Sequence, residues 1–148
     1  MPTSRCEARA VDWKLELVVV PVSDVDRAKT FYIESAGFRL DVDHSAGEDF
    51  RVVQLTPPGS ACSIALMRNP EAAGSAQGLQ LVVTDVSAAR DELSQRGLDA
   101  GEPFHFDFET GAQVSGLDPD RRPYNSFLAF TDPDGNRWMV QEAGPPAS

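Results

Sequence analysis

The chain has few residues that can bind a metal or form a covalent cross-link. Its 148 residues include two cysteines and two histidines. Cys6 and Cys62 are far apart and lack CxxC spacing, which argues against a disulfide framework or a zinc knuckle. Because only His44 and His105 are available, a histidine-rich metal site cannot form within one chain.

Basic side chains and long apolar runs are also scarce. The 13 Lys and Arg against 23 Asp and Glu give a formal net charge of −10, and such a surface repels nucleic-acid phosphates and anionic membranes. The longest apolar runs, such as Val18–Val22, have the length of a strand and are too short to span a membrane. The N-terminal residues lack the apolar core of a signal peptide. We therefore predict a cytoplasmic protein without a nucleic-acid or membrane partner.

An internal repeat divides the chain into two halves. The apolar run Leu15–Val22 is followed by a Ser-Asp pair and a helical pattern. Sixty-one positions later, another apolar run is followed by a Thr-Asp pair and a second helical pattern. Asp24 and Asp85 are predicted to cap the two helices, which should end near Gly37 and Gly97.

Each half continues with a set of strands. The first helix is followed by three predicted strands, Phe38–His44, Phe50–Leu55 and Cys62–Met67. The second half repeats this pattern less regularly and closes with a hairpin through the turn sequence Asp-Pro-Asp-Gly at 132–135. Two βαβββ units predict an α+β fold with eight strands and two long helices.

The length of the chain corresponds to one domain. We assign the domain to residues 12–143, with a first half at about 14–68 and a second at about 78–142. The remainders, 1–11 and 144–148, are expected to be flexible tails. The long polar segment Glu109–Asn125, rich in Gly and Pro, is expected to have no helix or strand of its own. We predict a lid over the mouth of the cup that can be shortened with little loss of stability; the alternatives are a spacer and a part of the core or of the dimer interface.

Three segments carry a resemblance to a known group of proteins. They are LELVVVPVSDVDRAKTFY at 15–32, GLQLVVTDVSAARDEL at 78–93 and FTDPDGNRWMVQE at 130–142. With the duplication, they resemble the vicinal-oxygen-chelate group, which includes glyoxalase I, extradiol dioxygenases, and the bleomycin- and fosfomycin-resistance proteins. The resemblance implies a cup formed by two curved half-sheets, and a homodimer that covers the exposed sheet edges.

The resemblance also locates four positions where metal-using members carry His or Glu. In this chain those positions are Leu17, Ala65, Gly78 and Met139, none of which is a ligand for a hard divalent metal. We therefore predict no metal and no cofactor.

The side-chain period of two in a strand predicts which residues line the cup. The expected lining is Leu17, Val19, Ser63, Ala65, Met67, Gly78, Gln80, Met139 and Gln141. The candidate ligand-binding residues are Leu17, Ser63, Met67, Gln80, His105, Met139 and Gln141. Gln80 either binds a ligand or is satisfied by water, and His105, which alternates with three phenylalanines, is either a site residue or a packed or solvated one. No catalytic residue is assigned.

The mostly apolar lining with a few amides is typical of a small-molecule site. It favours a metal-free protein, similar to the bleomycin-resistance branch, that binds a small, partly apolar organic molecule. The alternative is a lyase or dioxygenase of the glyoxalase-like group that uses a displaced metal site or metal-free acid–base catalysis. A third possibility is an interaction module whose cup is filled by protein side chains.

Overall fold

The computed structural model describes residues 11–144, so most of the two predicted tails lies outside the described residues. The first half contains β1 (Leu17–Val22), α1 (Val25–Thr30) with a π-helical turn (Phe31–Ser35), β2 (Arg39–Ala46), β3 (Phe50–Thr56) and β4 (Ser63–Arg68). The second contains β5 (Leu79–Val83), α2 (Val86–Gln95), β6 (Phe104–Phe106), β7 (Gln113–Ser115), β8 (Phe127–Thr131) and β9 (Arg137–Glu142).

Both helices begin and end where the sequence predicts. The Asp24 side chain accepts a hydrogen bond from the Arg27 amide, and that of Asp85 accepts from the amides of Ser87 and Ala88. Each cap satisfies helix amides that have no partner within the helix. Gly97 follows α2 with a φ of 85°, a left-handed conformation that glycine adopts without steric penalty.

The halves form two separate hydrogen-bonded sheets within the described residues. Their strand orders are β1-β4-β3-β2 and β5-β9-β8-β6-β7. In each sheet the first strand pairs in parallel with the last strand of its own half. The predicted α+β fold with a duplicated βαβββ unit is confirmed, although the strands form two sheets rather than one.

Residues 11–144 form nine strands where the sequence predicts eight. The additional strand, Gln113–Ser115, lies inside the segment expected to be irregular and pairs antiparallel with Phe104–Phe106. A three-residue strand has too few alternating positions to produce a detectable period of two. The two strands are joined by a tight turn, in which the Asp107 amide donates to the Ala112 carbonyl over 2.9 Å.

The two halves share one apolar core on the helix-facing sides of the sheets. Fully burying each large apolar side chain contributes roughly 1.5–3 kcal/mol, so this core provides most of the stability. Its buried members include Val20, Val22, Val53, Leu55, Leu66, Leu128, Phe130, Trp138 and Val140.

A buried polar contact joins the halves inside that core. The Tyr32 hydroxyl donates to the Asp132 carboxylate over 2.7 Å and accepts from the Trp138 indole over 2.9 Å. Burial, with the charge of Asp132, raises the pKa of Tyr32 well above its usual range, so the hydroxyl remains a donor.

The turn at 132–136 is a hub that connects both halves. Asn136 donates to the Pro21 carbonyl over 2.8 Å and accepts from the Ala76 amide over 3.0 Å. The Asp134 carboxylate accepts from the backbone amide and hydroxyl of Ser23. The sequence predicts the turn itself, but these distant partners give it a second role that the turn sequence alone does not indicate.

Over residues 11–144, neither helix is long and apolar enough to cross a membrane.

Candidate functional site

Strand register places most of the predicted site residues of the first half on one sheet face. Leu17 pairs with Ser63, and Val19 pairs with Ala65. Directly paired residues project to the same side of a sheet. Val20 and Val22, which alternate with these positions, are fully buried in the core. The predicted lining therefore faces away from the core.

The second half has the corresponding face. Gln80 pairs with Met139, and Val82 pairs with Gln141. The Gln80 side-chain amide donates to the Gln141 amide oxygen over 2.7 Å. The two amides therefore hold each other on the face that opposes the core, and each keeps hydrogen-bonding capacity for another molecule.

A cavity of about 560 Å³ lies between the edges of β1 and β5. It brings together Ser63 from the first half with Gly78 and Gln80 from the second. Leu17, Met67, Met139 and Gln141 share the strand faces of Ser63 and Gln80 but are not among the described residues that border it. The apolar part of its wall is formed mostly by the core-facing sides of the strands. It includes Leu15, Val18, Ile64, Leu79, Leu81 and Trp138.

His105 is separated from the other predicted site residues. Phe104 pairs with Phe127, which pairs with Gln141, so the phenylalanines of β6 share the face of Gln141 and His105 points to the opposite side. The His105 Nδ1 lies 2.7 Å from the Gly116 carbonyl oxygen. Because a carbonyl only accepts, this nitrogen carries the proton and His105 ties β6 to the following loop.

A polar chain on the first half was not predicted from the sequence. The Thr56 hydroxyl contacts the Asp41 carboxylate and lies 2.6 Å from the Ser63 hydroxyl oxygen. An irregularity in the pairing of β2 with β3 falls between Leu40 and Val42. Such a bulge redirects the side chain that it contains, which explains why simple alternation along β2 does not find Asp41.

Tyr124 is held in a strained conformation beside the amides of the second half. Its φ is 64°, a left-handed value that costs a residue with a Cβ roughly 1–2 kcal/mol. Its amide donates to the Glu142 carbonyl over 2.7 Å, and its carbonyl accepts from the Gln141 side chain over 3.0 Å. These contacts hold the backbone of a residue that is 57% exposed.

The loop that precedes Tyr124 is attached to the body of the protein. Arg121 donates to both carboxylate oxygens of Glu142, and Glu142 also accepts from the Val86 amide at the start of α2 over 3.0 Å. The Arg121 guanidinium lowers the pKa of the nearly buried Glu142 carboxyl, against the effect of burial. One carboxylate therefore links the loop, the last strand and the second helix.

This arrangement predicts a pH-dependent contribution to stability. A carboxyl whose pKa is lowered by folding stabilises the protein above its unfolded pKa, and the contribution is lost as the pH falls through the folded value. We expect Glu142→Gln to reduce the free energy of unfolding by about 1–2 kcal/mol at pH 7. Urea titrations at several pH values should show this gap narrowing below about pH 4. A gap that is the same at pH 3 and pH 7 would contradict the assignment.

The residues at the four family metal positions do not fit a hard divalent ion. Leu17, Ala65, Gly78 and Met139 offer no carboxylate or imidazole, and a thioether is a soft donor. Within residues 11–144 there is also no group of three or more His, Cys, Asp or Glu side chains arranged to hold a metal.

A second groove, of about 370 Å³, lies beside α2 and the Pro57–Pro58 turn. It is bordered by Leu81, Val82 and Val83 of β5 and by none of the candidate ligand-binding residues. We therefore take the cavity between β1 and β5 as the candidate site.

The duplicated βαβββ fold, with a cavity where the two first strands approach, defines the class of the protein. The chain belongs to the glyoxalase/bleomycin resistance protein/dioxygenase superfamily, whose sequence model matches residues 14–140. This confirms the resemblance found in the sequence.

Several known proteins are similar to this chain. TnmS3, an antibiotic binding protein from Streptomyces sp. CB03234, has a TM-score of 0.68 and 30% identity, over 91% of this chain and 99% of its own. A glyoxalase/bleomycin resistance protein from the same organism has a TM-score of 0.64 and 32% identity, over 87% of this chain and 100% of its own. YetH of Bacillus subtilis strain 168, an uncharacterised protein, is 25% identical over 129 residues, which are 84% of this chain and 94% of YetH.

Proposed function

We propose that this protein binds a small, partly apolar organic molecule in the cavity between β1 and β5 without using a metal. The observation that carries the proposal is the cavity itself, whose volume of about 560 Å³ falls within the usual range for ligand pockets. Ser63 from the first half and Gln80 from the second are among its polar lining residues, with Ser60 and Gln77, and the remaining wall is largely apolar. This combination binds an organic molecule by burial and orients it by hydrogen bonds.

The similarity to TnmS3 supports a ligand of the antibiotic kind, because that protein is described as antibiotic binding. The net charge of −10 favours a neutral or cationic molecule over an anion. The proposal places the protein in the cytoplasm, where the half-buried thiol of Cys62 would stay reduced.

The metal-free part of the proposal rests on the donor set at the four family positions. Its test is elemental analysis of protein purified without chelators. We expect no zinc, nickel, iron or manganese in amounts near one per chain. A stoichiometric metal would instead support the alternative, a glyoxalase- or dioxygenase-type enzyme with a displaced metal site.

We further propose a homodimer. Val19 and Val82 lie on the faces opposite the core and are 52% and 60% exposed. A second copy that packs against Val19 and Val82, neither of which borders the cavity, would remove apolar surface from water. Sedimentation equilibrium at tens of micromolar should give twice the chain mass of 16.0 kDa. The double variant Val19→Glu/Val82→Glu should sediment as a monomer, whereas a monomeric parent protein would reject the proposal.

The ligand-binding proposal is tested with a neutral aromatic probe, N-phenyl-1-naphthylamine, in a fluorescence titration. Strain at an exposed residue is a feature of ligand-binding sites. Tyr124 does not border the cavity, but its carbonyl accepts from Gln141, whose amide oxygen accepts from Gln80 of the cavity wall. We propose that the probe extends from the cavity onto the Tyr124 ring. An aromatic contact contributes about 0.5–1.5 kcal/mol, so we expect Tyr124→Gly to weaken binding up to about tenfold. The same change should leave thermal stability equal or higher, because glycine relieves the strain at this φ.

Tyr124→Phe is the matched control, since it keeps the ring and should keep the affinity. Equal probe binding by Tyr124→Gly and the parent protein would remove Tyr124 from the site. Absence of saturable binding by the parent protein at up to millimolar probe would contradict the proposal that the cavity is open to small aromatic molecules.

A further inference from the structure

We propose that the Ser63 hydroxyl oxygen is a fixed hydrogen-bond acceptor that selects ligands carrying an O–H or N–H group at the first-half wall of the cavity. This inference rests on the proposed ligand-binding function and specifies the chemistry of the ligand. It follows from the direction of the hydrogen bonds along the chain formed by Ser63, Thr56 and Asp41.

The direction of this chain is set at Asp41. An ionised carboxylate can only accept hydrogen bonds, and the Thr56 hydroxyl, followed by Arg39, keeps the pKa of Asp41 below its usual value. The Thr56 hydroxyl has a single hydrogen and directs it to the Asp41 carboxylate. Its oxygen is then available only as an acceptor.

The same reasoning sets the direction in which the Ser63 hydroxyl donates its hydrogen. Its hydroxyl oxygen lies 2.6 Å from the Thr56 hydroxyl oxygen, and one of these two groups must donate. Because the Thr56 hydrogen is used on Asp41, Ser63 donates to Thr56. The Ser63 oxygen therefore keeps only lone pairs for any further contact.

Because the Thr56 and Ser63 hydroxyl groups are buried, the direction of their hydrogen bonds matters to a ligand. Thr56 and Ser63 are 3% and 6% exposed, so water has little access to these two hydroxyl groups, although Asp41 at the end of the chain is exposed. Ser63 borders the cavity together with the apolar side chains of Val18 and Leu79. An acceptor in an apolar wall attracts a donor and repels the lone pairs of an ether or a carbonyl.

Asp41→Asn reverses the direction of the hydrogen bonds along this chain without changing the shape of the side chain. The Arg39 guanidinium donates to Asp41 Oδ1 over 2.9 Å, which would keep the amide oxygen on that side. The amide nitrogen then faces Thr56 and donates to its oxygen. The Thr56 hydrogen is released toward Ser63, and Ser63 regains a hydrogen to donate into the cavity.

The test compares two probes that differ by one methyl group, 2-naphthol and 2-methoxynaphthalene, in fluorescence titrations. One hydrogen bond to a neutral group is worth about 0.5–1.5 kcal/mol, so the parent protein should bind 2-naphthol about fivefold more tightly. Ser63→Ala should bind the two probes equally. Asp41→Asn should lose the preference for 2-naphthol or reverse it, which a merely structural role of Asp41 would not produce.

Ser94→Ala, on the exposed side of α2, is the control and should behave as the parent protein does. Near-ultraviolet circular dichroism checks that each variant is folded. If Ser63→Ala does not fold, Asp41→Asn alone decides the result. Equal binding of both probes by the parent protein would overturn this inference and leave the proposed function standing, as would a preference that persists in Asp41→Asn. Failure of both probes to bind the parent protein would overturn both.

Discussion

Asn136→Ala is expected to lower the free energy of unfolding by about 3 kcal/mol or more, since a buried polar group left without its partner costs about 1–3 kcal/mol. The Asn136 side chain is fully buried. Its loss leaves three groups with one partner fewer, namely the Pro21 carbonyl, the Ala76 amide and the Asp132 carboxylate. Water cannot replace these contacts without opening the junction between the halves.

The change should be measured by urea unfolding at pH 7, monitored by tryptophan fluorescence, because Trp138 lies in the shared core. Asn69→Ala is the matched control. The Asn69 side chain is exposed and accepts a local bond from the Ala72 amide over 3.3 Å, so we expect a loss below about 0.5 kcal/mol. Similar stability losses for the two variants would show that the hub at 132–136 does not hold the halves together.

The hub shows what can be predicted from the sequence and what cannot. The tight turn is readable because Asp, Pro and Gly have local conformational preferences. The bonds that Asn136 makes to Pro21 and Ala76 depend on how the halves pack, and packing has no local signal. The helix caps at Asp24 and Asp85 could be predicted because a cap is a local interaction. Each side chain bonds to amides only two or three residues later.

The candidate site likewise has features that the sequence predicts and features that it does not. The common face of Leu17 and Ser63, and that of Gln80 and Met139, follow from the period of two. The contact of Asp41 with Thr56 does not, because a bulge shifts the register within β2. His105 remained open in the sequence between a site residue and a packed one, and its bond to the Gly116 carbonyl depends on a loop whose course has no periodicity.

The segment Glu109–Asn125 gave the largest difference between sequence and structure. Its composition suggested a lid that could be shortened with little loss of stability. The structure places Asp118 at 0% exposure, where it accepts from the Asn125 side chain over 2.8 Å. Deleting 116–122 would remove this carboxylate and the Arg121 contact to Glu142. We therefore expect the deletion to unfold the second half rather than to weaken ligand binding alone.

Asn125→Ala tests the attachment of this segment by a single substitution. The Asn125 amide donates to the Phe106 carbonyl and to Asp118, and its oxygen accepts from the Phe106 amide over 3.2 Å. Alanine would leave both backbone groups of Phe106 without these partners and remove a donor from a buried carboxylate. At about 1–3 kcal/mol for each buried group left unpaired, we expect a loss of about 3 kcal/mol in the free energy of unfolding.

The readouts for Asn125→Ala are urea unfolding and amide hydrogen exchange. Exchange should accelerate first in β6 and in the loop around Asp118, because these elements lose their direct partners and local opening then requires less free energy. Gln113→Ala, an exposed position in the same segment, should leave both readouts close to those of the parent protein. If Asn125→Ala instead kept full stability and altered only probe binding, the segment would be a lid as its composition suggests, and the bonds between Asn125, Phe106 and Asp118 would have little energetic weight.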